Sequence, residues 1–423
     1  MPNTLLPNTE VAIVGGGLAG LACAAELTRR GITFTLLEAS DRVGGRVRTD
    51  EVDGFLLDRG FQVLLTAYPE TLRTLDYESL QLGRFHPGAL VRYNGAFRQV
   101  SDPLRYPKGA LPTALSPIGS LADKLRVALL NASVRSVPLN ELFRRKETST
   151  LDALKQMGVS DLMIGSFFRP FLGGIFLESS LATSSRKFEF VFRMFGQGEA
   201  ALPERGMEEI PRQLAGRLPP GSIRTGTSVT RLERSAVMIS TGESITAKHI
   251  VVATDEPAAA RLLQTDVPGT VCSVVCLYFS APQSPVSGQW LVLNGEGSGP
   301  VNNLCVPTEV CPGYGPKGKA LISVSVLGRP QADNEQLTRQ VKAQLQAWYG
   351  TQVKAWRLLR VYRIPYSVPF QPAGALQPVA KSVRLADRLW RCGDYADVSS
   401  IQGAMVSGRR VAEAIAGVSP DAP

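Results

Sequence analysis

Short unbroken apolar runs alternate along this chain with longer stretches of helical period. Residues 11–14 (VAIV) form a run of the first kind, the mark of a strand buried on both faces. Residues 21–30 follow as a helix stopped by Gly31, and residues 32–37 as a second buried strand that ends at Glu38. Strand, helix, strand is the crossover unit of a parallel sheet. A second set of strands is predicted at residues 272–280, 290–293, 302–306, 320–327 and 353–363, with a helix at 334–349. Between the two sets, residues 66–200 begin rich in proline and then read as helices at 121–130, 151–158 and 161–171. The stretches 166–178 and 188–196 hold half of the 16 phenylalanines, and such a stripe reads first as core.

Gly15, Gly17 and Gly20 stand between the first strand and its helix in the spacing GxGxxG. The first permits a tight turn, the second lets a diphosphate approach bare backbone, and the third lets helix and strand pack closely. Leu18 and Ala19, inside the glycine spacing, are counted with the cofactor-binding residues, and they lead to the helix whose free N–H groups and dipole face the phosphates. Glu38 is placed to accept ribose hydroxyls and would repel a 2′-phosphate, which disfavours NADP. A second GxGxxG at residues 313–318 is rejected, because Pro316 interrupts it and a strand follows instead of a helix.

The composition narrows the remaining choices. With 423 residues, 44% hydrophobic and 20% charged, the chain is globular and long enough for two or three domains. No apolar run is long enough to cross a bilayer, and the first residues carry no leader pattern. The six cysteines are scattered without metal or disulfide spacing, so they read as buried thiols in a reducing, cytoplasmic compartment, and no metal is expected. His86 and His249 read as structural, which leaves no histidine triad. The net charge is +9, and part of it gathers at Lys124, Arg126, Arg135, Arg144, Arg145 and Lys146. That segment is either a solvated helix face or a patch that meets an anionic membrane surface. No nucleic-acid-binding module accompanies the charge, so nucleic acid is not a partner.

The residues after Glu38 read EASDRVGGRVRT, an acid, a short spacer and GGR. This resembles the signature of the flavin amine oxidase and phytoene desaturase superfamily. The resemblance implies that Arg42, Gly44, Gly45 and Arg46 line the diphosphate side of an FAD. It continues at Gly60, Phe61 and Gln62, which would run past the flavin. It continues again at 201–215, where Arg205 replaces a glycine of the family's turn. Val229 would hold the adenine and Ala253 would lie beside the AMP half. Residues 389–417 resemble the family's C-terminal flavin motif. Gly393 and Asp394 would there meet the ribityl or phosphate region, and Gln402, Gly403 and Ala404 would bring a helix N-terminus to the flavin's pyrimidine edge.

The expected fold is α/β: a Rossmann-like FAD-binding domain from residues 1–65, 201–265 and 385–423, and a mixed sheet-plus-helix substrate domain from 66–200 and 266–384. The resemblance implies an FAD-dependent oxidoreductase that takes a hydride from a largely apolar, isoprenoid- or pigment-like substrate to flavin N5, with oxygen or a quinone as acceptor. An amine oxidase, an isomerase without net redox change and a non-catalytic flavin binder stay open. Catalytic residues are not assigned, and Tyr395 is a weak aromatic candidate at the flavin.

Overall fold

Five strands lie parallel, in the order Ile223–Arg224, Phe34–Leu37, Thr9–Val14, Ser244–Val252 and Leu389–Arg391. The computed structural model describes residues 9–267 and 269–418, so all but the last two residues of the segment read for a leader (residues 1–10) lie outside it. The strands come from three separated stretches of chain. The edge is extended by Ala236–Ile239, antiparallel to the first residues of Ser244–Val252, and by Val229–Leu232, antiparallel in turn to Ala236–Ile239. Helix Leu18–Arg29 starts three residues earlier than the apolar period indicates, because Gly17 already serves as its N-cap. It packs against helix Ile401–Ile415 near the other end of the chain. Contact is close enough that a Cβ on Gly408 would lie 2.1 Å from the Ala19 carbonyl oxygen.

The register of the sheet decides where chemistry can occur. Val14 pairs with both Leu37 and Val252, and Val252 pairs with Arg391. The residues that follow these strand ends, Gly15, Glu38, Ala253 and Cys392, therefore emerge side by side at one carboxyl edge. This is the edge at which open parallel sheets bind their ligands. Backbone bonds lock it, with Gly15 N–H to Leu37 O at 2.8 Å, Ala253 N–H to Val14 O at 2.8 Å and Cys392 N–H to Val252 O at 3.0 Å.

A second, seven-stranded sheet has the order Arg357–Pro369, Val271–Ala281, Ala320–Leu327, Asn303–Cys305, Leu291–Asn294, Gly88–Tyr93, Ala96–Ser101. Helix Asn334–Tyr349 covers its apolar face through Leu337, Val341, Leu345 and Trp348. The last two strands are an addition to the sequence expectation, which gave residues 66–200 only helices. Asn94 and Gly95, both with positive φ, make the turn of that hairpin. The strand expected from residue 353 begins only at Arg357, because Gly350–Ala355 is a 3-10 turn that carries the buried Val353. Helices Leu121–Ser136, Thr150–Gln156, Arg169–Phe176 and Ser185–Gln197 fill the region between. A π turn, Ile164–Phe168, leads into the third of these.

All six cysteines are buried and free. Among the described residues no helix is long and apolar enough to cross a membrane.

Candidate active site

One cavity of about 1570 Å³ runs from the carboxyl edge of the parallel sheet into the helical region. At the sheet end it is lined by Gly15, Gly17, Leu18, Ala19, Glu38, Gly44, Gly45, Arg46, Val229, Ala253, Gly393 and Asp394, among the residues expected from the sequence. The glycine turn has the geometry that the spacing implies. Gly15 has φ +113°, and a Cβ on Gly20 would lie 2.0 Å from the Gly15 carbonyl oxygen, so Gly20 serves packing and does not line the cavity. A Cβ on Gly17 would meet no atom within 4 Å, since the space in front of it is open. Behind that space, helix Leu18–Arg29 starts without a side-chain cap and without an acid in its first turn. Its free N–H groups are donors for an anion. The loop Gly44–Gly45 lies against the turn, with Gly44 N–H bonded to Gly16 O at 2.8 Å.

Glu38 is held in place before any ligand arrives. Its Oε2 accepts the Gly16 N–H at 2.7 Å and its Oε1 accepts the Ser40 N–H at 2.9 Å. Beside it the cavity wall is Thr227, Ser228, Val229 and Thr230, then Thr254, Asp255 and Arg261. Arg46 reaches the cavity from the GGR loop and pairs with Asp394, Nη2 to Oδ1 at 2.6 Å, while its Nη1 donates to Ser367 O at 2.7 Å. Gly60, Phe61 and Gln62 line the middle of the cavity. The Gln62 amide donates to the Arg46 carbonyl at 2.9 Å.

Besides Gly20, four sequence candidates stand elsewhere. Arg42 is outside the cavity wall, its guanidinium held by Glu208 at 2.9 Å and by Asp50 and Asp41 at 3.0 Å. Gln402 turns back to accept the Glu70 N–H at 2.8 Å. Gly403 packs under the preceding loop, where a Cβ would lie 1.9 Å from the Val398 carbonyl oxygen. These two therefore set the start of helix Ile401–Ile415, whereas Ser399, Ser400, Ile401 and Ala404 face the cavity. Ser400 is the N-cap, its hydroxyl accepting the Gly403 N–H at 3.1 Å. A serine just before an apolar helical run is the signal that marks it. Tyr395, the weak aromatic candidate, is buried against Val252 and Ala259 and does not line the cavity.

Sequence reasoning did not find Lys187. It is buried on helix Ser185–Gln197, lines the cavity, and donates from Nζ to the Ser399 hydroxyl. Among the described residues no carboxylate lies within ion-pair distance of it. Burial pushes its pKa down to about 8, partly offset by Cys272, Asp394 and Glu178. Lys187 is a helix-interior lysine among phenylalanines, and nothing in that local pattern says which way it points.

The far half of the cavity divides the phenylalanine stripe in two. Phe168, Phe176, Phe188 and Phe190 are core, while the half-buried Phe167, Phe171, Phe192 and Phe195 line the chamber with Met163, Val127 and Ile175. The Phe167 and Phe171 rings stack with centroids 5.4 Å apart, and Phe171 meets Phe195 at 5.3 Å. Arg105, Lys124, Leu104 and Leu121 also line the cavity, and the two leucines are exposed, so the chamber reaches the surface there. Of the other basic residues expected to act as a patch, Arg126 lies 3.9 Å from Asp123 and Arg145 pairs with Glu189 at 3.1 Å. Arg144 and Lys146 are exposed.

A bare glycine turn, an acid fixed at the next strand end and a second capped helix start facing one cavity suit a dinucleotide with a flavin. They define the class of FAD-dependent oxidoreductases. The chain belongs to the flavin containing amine oxidoreductase family, whose sequence profile matches residues 18–416. It is similar to the coproporphyrinogen III oxidase of Propionibacterium freudenreichii subsp. freudenreichii, 24% identical over 390 residues that cover 75% of this chain and 72% of that one. It is also similar to the coproporphyrinogen III oxidase of Bacillus subtilis (strain 168), 25% identical over 306 residues, 60% of this chain and 61% of that one. Among solved structures, an oxidoreductase from Methanosarcina mazei shares the fold with a TM-score of 0.74 at 19% identity, over 96% of this chain and 100% of that one.

Proposed function

We propose that this protein dehydrogenates a large, mainly apolar, pigment-like ring compound of the porphyrinogen class that carries anionic groups at its rim. One observation carries the reading: a single cavity joins the glycine turn and the Ser399–Ala404 segment to a phenylalanine chamber with Arg105 and Lys124 in its wall. An apolar macrocycle fits the phenylalanines, and its carboxylates would meet the two cations. The two coproporphyrinogen oxidases among the relatives support the same class.

When bound, FAD supplies the hydride acceptor, and oxygen or a quinone takes the electrons on. Gly17, Gly44, Gly45 and the start of helix Leu18–Arg29 would hold its diphosphate, and Glu38 its ribose. Phe167, Phe171, Phe192 and Phe195 orient the substrate and exclude water from the reacting C–H bond. Lys187 keeps its proton at neutral pH and offers Nζ–H donors to negative charge that arises beside the Ser399 loop. Asp394 fixes Arg46 across the cavity wall.

The test is anaerobic mixing of the yellow holoprotein with coproporphyrinogen III, protoporphyrinogen IX and putrescine in parallel. The visible flavin band should bleach with a porphyrinogen and return when oxygen is admitted. Bleaching by the amine alone would overturn the proposal in favour of an amine oxidase. Conversion of a substrate with no acceptor consumed would favour an isomerase.

A further inference from the structure

We propose that the leucine-studded ridge of residues 104–129, at the mouth of the cavity, docks the protein on an anionic lipid surface. Leu104, Leu111, Leu115, Leu121, Leu125 and Leu129 are each between 60% and 85% exposed, an unusual concentration for one short stretch of chain. Their spacing is regular. Leu111 and Leu115 lie four residues apart on helix Ala110–Leu115, and Leu121, Leu125 and Leu129 lie four apart on Leu121–Ser136. Each set therefore occupies one face. The longer helix buries its other face through Leu130 and Val134 and is capped by Ser120 with Asp123, so it holds its shape while leaving the leucines outside.

Charge indicates what covers them. Residues 103–140 contain Arg105, Lys108, Lys124, Arg126 and Arg135 but a single acid, Asp123. That acid is buried and bonded to Ser120 and Ser160. Lys108 and Arg135 are exposed and have no ion pair among the described residues. Leucines flanked by free cations match an interfacial element that sinks apolar side chains among acyl chains and sets ammonium and guanidinium groups at anionic headgroups. Packing against a second copy would set these cations against themselves, which disfavours self-association. The same segment lines the cavity with Ala110, Thr113, Lys124, Val127 and Ala128, so a docked molecule would open its chamber toward the lipid. Docking itself does not depend on the proposed substrate, whereas delivery of that substrate from the bilayer does.

The holoprotein is sedimented with vesicles of phosphatidylglycerol and phosphatidylcholine, and with phosphatidylcholine alone. Wild type should pellet with the anionic vesicles at low salt. The triple variant Leu111→Ser, Leu115→Ser, Leu125→Ser should bind at least about tenfold more weakly, with its flavin band and Tm unchanged because all three positions are exposed. Lys108→Glu with Arg135→Glu should weaken binding and flatten its salt dependence. The proposal is overturned if folded wild type stays in the supernatant, or if the triple variant binds as wild type does. Sedimentation velocity that finds a dimer which the leucine changes dissolve would also overturn it, assigning the ridge to a second copy.

Discussion

Arg46 and Asp394, separated by 348 residues of sequence, meet at 2.6 Å in the wall of the cofactor cavity. The pair joins the GGR loop near one end of the chain to the Gly-Asp turn near the other. It therefore reports whether the discontinuous binding site has closed.

Asp394→Asn should destabilise the protein and loosen the cofactor together. Breaking a pair with one buried partner costs about 3–5 kcal/mol, and the partial exposure of Arg46 reduces that to roughly 2–3 kcal/mol. Urea unfolding with and without added FAD measures it. The double variant with Arg46→Met should lose less than the two single losses summed.

Gly17 and Gly20 separate binding from folding. Gly20→Ala forces a Cβ to within 2.0 Å of the Gly15 carbonyl oxygen, so the helix must move and Tm should fall steeply even without cofactor. A Cβ at position 17 meets no protein atom within 4 Å. Gly17→Ala should therefore keep the apoprotein Tm and weaken FAD binding by about tenfold or more, as read by flavin fluorescence. Equal effects in the two variants would contradict this division.

Asp397 gives a pH signature. Burial raises its pKa to about 6, although the Val398 N–H and Arg410 oppose the shift. The folded state then holds a proton that the unfolded chain has released between about pH 4 and pH 6. This contribution to stability is full below about pH 4 and lost as pH rises through 6. Asp397→Asn should raise Tm at pH 7 and leave it nearly unchanged at pH 4, which a pair of thermal scans checks.

Phe171→Ala should empty part of the chamber without touching the cofactor end. KM for the substrate should rise by roughly tenfold or more, as a lost aromatic contact implies, with the flavin spectrum unchanged. An unaltered KM would show that substrate does not reach the stacked Phe167 and Phe171 rings.

Much of the cofactor end was legible in the sequence because local rules fix it. The turn at Gly15 and the acid at Glu38 follow from a strand, a helix and a strand in register, and the parallel sheet then sets their places. What depends on side-chain direction was not legible. Arg42 and Gln402 sit in the right motifs, yet one turns to Glu208 and the other to the Glu70 N–H, partners distant in sequence. Lys187 was missed for the converse reason, since only helix packing turns it inward. The hairpin of Gly88–Tyr93 and Ala96–Ser101 was within reach: Asn-Gly between two alternating runs is a strong turn signal, obscured by the prolines around it. The leucine ridge was less accessible, because residues 121–130 read as a helix with an ordinary apolar face until the exposure of Leu121, Leu125 and Leu129 is seen.

The seating of Gly408 on Ala19 has a bearing on biosynthesis. The phosphate-cradling turn precedes helix Ile401–Ile415 in the chain by several hundred residues, so during synthesis it exists before the helix that seats against it. Stalled or truncated translation products would carry half a cradle with no isoalloxazine grip. Quality-control proteases would then meet an apoprotein lacking its closing brace, and the supply of riboflavin-derived cofactor would govern how much of the finished chain survives.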